Sequence, residues 1–291
     1  MIKKILPLIV ALATSLLYSC KDDTTSTSTK PRIVCTIGML SSLVEEIVGE
    51  EYEVINLIGE GVDPHVYKHT AGDVKKLQSA DLIFYNGLHL EGKMTDILSK
   101  MQAKGAKAFA ATEHVVQTSD LLADEDGAQD PHLWMDVSQW RKVAQYLFTT
   151  IQAHKPSATE ALEARYNALD QQLELLDFYC QKSLATIPTE KRYLVTAHDA
   201  FGYMQPAYNL QVRGIQGIST ASEAGLKDLE ELISFLKQKQ IPAVFIESSV
   251  NDKNVKALIE GANAQGHQVT IGGELFSDAC LLYTSPSPRD A

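Results

Sequence analysis

The chain has 291 residues, 45% hydrophobic and 22% charged, enough to bury a substantial core in one large domain or in two lobes. Its 26 basic and 37 acidic residues leave a net charge of -11, which argues against a nucleic-acid partner because no basic surplus offsets repulsion from phosphates. The same balance suits a cationic ligand.

The N-terminus follows a secretory pattern: Lys3 and Lys4 precede an apolar run, residues 5–17, too short for a permanent membrane span. Residues 1–19 are therefore expected to be a signal peptide. Leu17-Tyr18-Ser19-Cys20 resembles a bacterial lipobox, in which Cys20 becomes the acylated N-terminus of the mature chain. Residues 20–31 then form a Ser- and Thr-rich tether that cannot pack a core. Its Lys21-Asp22-Asp23 also resembles the surface-export signal of some outer-membrane lipoproteins.

From Arg32 onward, short apolar runs bounded by turn residues read as buried strands at 32–37, 53–58, 82–85 and 106–110. A second group of four follows at 193–197, 210–215, 243–247 and 269–271. Helical spacing lies between them, as in Leu40, Leu43, Val44 and Ile47, and again in Leu226, Leu229, Leu232, Ile233 and Leu236. Alternating strands and helices predict an α/β fold with parallel sheets.

Between the two groups, from Ser157 as N-cap to about Ala185, the chain has no Gly or Pro and repeats Leu162, Leu169, Leu173, Leu176 and Tyr179 at helical spacing. This predicts one helix of nearly thirty residues, about 40 Å long, closed by Pro188. The expected organisation is a first lobe at 32–156, a linking helix at 157–187 and a second lobe at 188–279. Two (β/α)4-type lobes on one long rigid helix would place a ligand in the cleft between them, beyond the carboxyl ends of the strands.

Cys35 and Cys180 read as buried apolar thiols, a disulfide between them being the alternative, and no zinc-ribbon or Cys-x-x-Cys spacing is present. The last twelve residues, CLLYTSPSPRDA, resemble a translated sequencing-library adaptor. Residues 280–291 are accordingly expected to be foreign and the second lobe to be truncated after Ala279.

Three histidines stand at strand ends or loop openings: His65 in Asp63-Pro64-His65, His132 in Asp130-Pro131-His132, and His198 closing the fifth strand. Proline fixes φ before the imidazole and restricts the aspartate ahead of it, lowering the entropy cost of holding a metal ligand. Asp278, directly after the eighth strand, is the fourth candidate. Three imidazoles and a carboxylate suit zinc and can also hold manganese. Asp136, Asp199, Glu223 and Glu247 are candidates to accept the imidazoles' other ring protons.

The segments GVDPHVY, DPHLWMD, TAHDAFGYM, GISTASEAG and ELFSDA resemble, in order and separation, those of the metal-binding lipoproteins of bacterial zinc and manganese ABC importers. The resemblance covers residues 32–279 and implies that His65, His132, His198 and Asp278 bind the metal. It also implies that the protein is no enzyme but a monomeric periplasmic or cell-envelope lipoprotein, anchored through Cys20, that serves a membrane permease and an ATPase. In this family a glutamate in place of His198 accompanies manganese, whereas a histidine-rich loop before the second ligand accompanies zinc. Here His198 is present while the loop at 121–129 is acidic and lacks histidine. The nitrogen-rich donor set favours Zn2+ over Mn2+. Two rival readings are a secreted zinc metalloenzyme, which the absence of HExxH disfavours, and a surface adhesin-type lipoprotein, which leaves the four ligand candidates without a role.

Overall fold

The computed structural model describes residues 30–117, 120–124, 127–155 and 159–279. The expected signal peptide, lipidated Cys20, nearly all of the tether, Ser157 and the segment 280–291 lie outside these residues. Among the described residues no helix is long and apolar enough to cross a membrane.

The first lobe is a parallel sheet of β1 (Arg32–Cys35), β2 (Glu53–Asn56), β3 (Leu82–Tyr85) and β4 (Ala108–Ala110) in the order β2-β1-β3-β4. Helices α1 (Gly38–Val48), α2 (Ala71–Gln78) and α3 (Thr95–Ala103) connect consecutive strands. In α1 the i, i+3, i+4, i+7 set Leu40, Leu43, Val44 and Ile47 is buried, as its spacing requires. Thr70 and Asp73 form a capping box that starts α2. Strand order reverses between β1 and β3, and there the buried Glu91 accepts bonds from the Thr36 hydroxyl (2.6 Å) and the Asn86 backbone N–H (2.5 Å). That crevice is where an open α/β sheet binds ligands.

Helix α4 (Val137–His154) leads to α5 (Thr159–Ala185), whose 27 residues form the long helix. Arg141 forks onto Asp170 at 2.8 and 2.9 Å, and Arg165 donates to the Ile47 carbonyl at 2.9 Å and to Glu51 at 2.6 Å, so α5 is tied to α4 and to the end of α1. Its buried residues, Leu162, Leu169 and Leu173, lie before its last twelve residues. Leu176 and Tyr179 share the helical spacing but are exposed, as is Leu226 at the first position of α7. Spacing defines a stripe; only neighbouring elements decide how far along it burial extends.

The second lobe comprises β5 (Tyr193–His198), α6 (Met204–Tyr208), β6 (Gln211–Gln216), α7 (Leu226–Lys239), β7 (Ala243–Glu247), α8 (Lys253–Ala264) and β8 (Thr270–Leu275). Its strands are parallel but hydrogen-bonded as two pairs, β5 with β6 and β7 with β8. Strands β5 and β7 are neighbours, and at their carboxyl ends the Glu247 side chain accepts the His198 N–H at 2.9 Å. A side chain thus joins two strands where a backbone ladder would otherwise run.

The lobes share a core. Tyr203 and Tyr208 pack into the first lobe's apolar cluster, and the Tyr208 hydroxyl accepts the Val137 N–H at 3.1 Å. The Cys35 and Cys180 thiols are both free, with Cys35 fully buried.

Candidate metal centre

Each of the four candidate ligands sits on backbone that its local sequence holds in place. His65 follows β2 in the loop leading to α2, and His132 precedes the short 3-10 turn Leu133–Met135. The repeated Asp-Pro-His works the same way in both: Asp63 Oδ1 accepts the His65 N–H and Asp130 Oδ1 accepts the His132 N–H, each at 2.9 Å. A short acidic side chain two residues upstream closes this turn, while proline limits the alternatives. His198 is the last residue of β5, and Asp278 lies three residues beyond β8.

Further contacts set the loops. Asn86 Nδ2 donates to the Pro131 carbonyl at 3.0 Å, and the Tyr203 hydroxyl donates to the Asp130 carbonyl at 2.9 Å. Trp134 Nε1 donates to the Ser277 carbonyl at 2.8 Å, tethering the residue before Asp278 to the first lobe. Two glycines are required by close approach. A Cβ on Gly92, which has φ of +35°, would lie 2.4 Å from the His65 carbonyl oxygen, and one on Gly202 would lie 2.7 Å from Asp130 Oδ2.

Together the fold brings one donor atom from each of His65, His132, His198 and Asp278 within 4.8 Å of the others. Asp278 Oδ1 is 3.2 Å from His132 Nε2, and its Oδ2 is 3.1 Å from His198 Nε2 and 3.9 Å from His65 Nε2. All four side chains are buried, His132 and His198 completely. Yet His198 Nε2 and both Asp278 oxygens have no hydrogen-bond partner of acceptable geometry. Buried polar atoms are normally satisfied. Converging buried donor atoms left without partners are what a divalent cation would satisfy once the rings are neutral, and these donor types match a four-coordinate nitrogen and oxygen site.

Carboxylates set the ring tautomers. His132 Nδ1 is 2.7 Å from Asp130 Oδ1, and His198 Nδ1 is 2.5 Å from Glu247 Oε2. An ionised carboxylate only accepts, so Nδ1 carries the hydrogen and Nε2 faces the cluster. Of the four expected proton acceptors, Glu247 takes that position. The other three are corrected. Asp136 caps α4 by accepting from Ser138 and Gln139, and exposed Glu223 accepts from Asn254. The Asp199 carboxylate is largely buried but bonds no imidazole among the described residues. Asp130 was missed, although its place two residues before His132 in the repeated tripeptide was an available signal.

Electrostatics divide the imidazoles. Burial pushes His65 down to about 3, against the pull of Asp278. Burial also disfavours a charge on His132 and His198, but Asp278, with Asp130 beside one and Glu247 beside the other, outweighs it and holds them at about 9 and about 10. Burial would raise Asp278; the His198 and His132 rings overcome it and keep that carboxyl far below the usual range. Replacing Glu247 with glutamine should weaken metal binding roughly 10- to 100-fold, because the ring loses a basicity-raising partner while every ligand stays. Competition against a chelator measures this, and unchanged affinity would remove Glu247 from the site.

A two-lobed α/β protein with a buried imidazole and carboxylate cluster in its cleft is thereby defined. The family model "zinc-uptake complex component A periplasmic" matches residues 33–287, and the chain belongs to that family. The zinc-binding protein TroA of Treponema pallidum (strain Nichols) is 46% identical over 250 residues, 86% of this chain and 80% of TroA. The manganese-binding lipoprotein MntA of Bacillus subtilis (strain 168) is 40% identical over 272 residues, 93% of this chain and 89% of MntA. The solved structure of periplasmic TroA superposes with a TM-score of 0.85, covering 88% of this chain and 92% of that one.

Proposed function

We propose that this protein is the extracytoplasmic solute-binding component of an ABC importer, capturing a divalent transition metal and delivering it to the membrane permease. The observation that carries this reading is the closed set of His65, His132, His198 and Asp278, whose buried donor atoms converge, with His198 Nε2 and both Asp278 oxygens left without a hydrogen-bond partner. Family membership and the metal-binding relatives support it. Zinc is the favoured cargo because three imidazoles make a nitrogen-rich site; manganese is the alternative. In this reading the four residues are the ligands, with Asp130 and Glu247 orienting two of the rings. An acylated Cys20 anchors the chain to the membrane, and a separate ATPase supplies the energy.

The hydrolase alternative fits less well, since Asp278 fills the fourth position that a catalytic water needs. The adhesin alternative leaves a buried, unsatisfied cluster unexplained.

The test is to strip the protein with chelator and titrate zinc and manganese against wild type and His198→Glu. One zinc per wild-type chain is expected, with the substitution weakening zinc and favouring manganese by adding a hard oxygen donor. Absence of stoichiometric binding of either metal would sink the proposal.

A further inference from the structure

Among the polar bonds that join the two lobes without a ligand side chain, one reaches the carboxylate that holds the His65 turn. The Thr220 hydroxyl, in the loop after β6, donates to Asp63 Oδ2 at 2.5 Å, joining positions 157 residues apart. Asp63 Oδ1 meanwhile accepts the His65 N–H at 2.9 Å. One carboxylate therefore holds a candidate ligand's backbone with one oxygen and the opposite lobe with the other. Beside this bond opens a cavity of about 270 Å³ lined by Asp63, Thr220, Gln216, Glu223, Ser249 and Asn254.

His65 depends on this carboxylate more than the other imidazoles depend on their backbone turns. The His132 and His198 rings are each held at Nδ1 by a carboxylate, whereas the His65 ring has no such bond among the described contacts. His198 also ends a strand, while His65 sits in a loop. Of the three rings, His65 lies farthest from Asp278.

We propose that Thr220 is a positioning residue for cargo exchange: its hydroxyl latches Asp63 across the cleft, and opening that bond frees the His65 loop so that the metal can leave. A hydrogen bond to a charged group is strong enough for its loss to alter a rate visibly, yet weak enough to open thermally. The proposal rests on the metal-capture reading for its consequence, whereas the latch itself is a bond between Thr220 and Asp63 that involves no ligand side chain.

Thr220→Val keeps the side-chain shape and removes the donor; Thr220→Ser keeps the donor. Zinc release from the full chain into an excess of a chromophoric chelator should be about tenfold faster in Thr220→Val and near wild type in Thr220→Ser. In stripped protein, deuterium uptake by the segment 59–67 should accelerate in Thr220→Val and return to the wild-type rate in Thr220→Ser. Unchanged release or unchanged uptake in Thr220→Val overturns the latch. If wild type takes up no zinc, the capture reading fails, while uptake in the metal-free variants still decides whether Thr220 holds the His65 loop.

Discussion

Replacing Asp278 with asparagine should lower zinc affinity on the order of a thousandfold, beyond the roughly 10- to 100-fold that loss of an outer-shell partner costs. Among the described residues Asp278 is the only carboxylate in the converging donor group. Its two oxygens each lie within 3.2 Å of a different imidazole nitrogen. Asparagine keeps the shape but removes the negative charge and turns one oxygen into an N–H donor aimed at the cargo. Burial amplifies the effect, because water cannot screen a cation left without its counter-charge. Isothermal titration or chelator competition reads the affinity, and a thermal melt of the stripped variant separates lost binding from lost fold. Affinity within tenfold of wild type would show that Asp278 is not a ligand.

Metal affinity should climb with pH, by about tenfold per unit for each imidazolium that must lose its proton, hence roughly 10- to 100-fold per unit between pH 6 and 8. The sign follows from the imidazoles. Metal requires a free lone pair at Nε2, and with His132 at about 9 and His198 at about 10 both rings carry protons in the metal-free protein near neutrality. His65, depressed to about 3, is already neutral there and contributes no dependence. Binding therefore expels up to two protons, and the dependence flattens once the pH exceeds the His198 value. Acidification shifts the balance towards release. Calorimetric titration in buffers of different ionisation enthalpy counts the protons directly. A flat affinity from pH 6 to 8 would mean that neither ring is protonated without metal. Asp278→Asn should also make the curve shallower, because each ring loses one of the two carboxylates that hold its proton, leaving Asp130 beside His132 and Glu247 beside His198.

Much of this fold was legible in the chain. All eight strands fall where apolar runs meet turn residues, with ends differing by up to about four residues. The long helix ends at Ala185, three residues before Pro188. These features depend on neighbours a few positions apart, which a linear pattern records. The four clustered side chains were legible for a related reason. An Asp-Pro-His turn and a polar residue at a strand's carboxyl end are local signals, and parallel α/β lobes gather such ends at one cleft.

What the sequence by itself determined was the element order, the α/β class and the set of side chains that meet in the cleft. Only the tertiary structure decided which acid serves which ring. Asp136, Asp199, Glu223 and Glu247 all stood near element ends, but Glu247 alone meets an imidazole, 49 residues away, because β7 runs beside β5. It likewise decided that the second lobe's strands bond as two pairs, that Leu176 and Tyr179 face outward, and that Asp63 reaches Thr220. Each of these depends on which elements pack side by side, and many chain paths share one local pattern while placing different partners within the roughly 3 Å that a hydrogen bond spans.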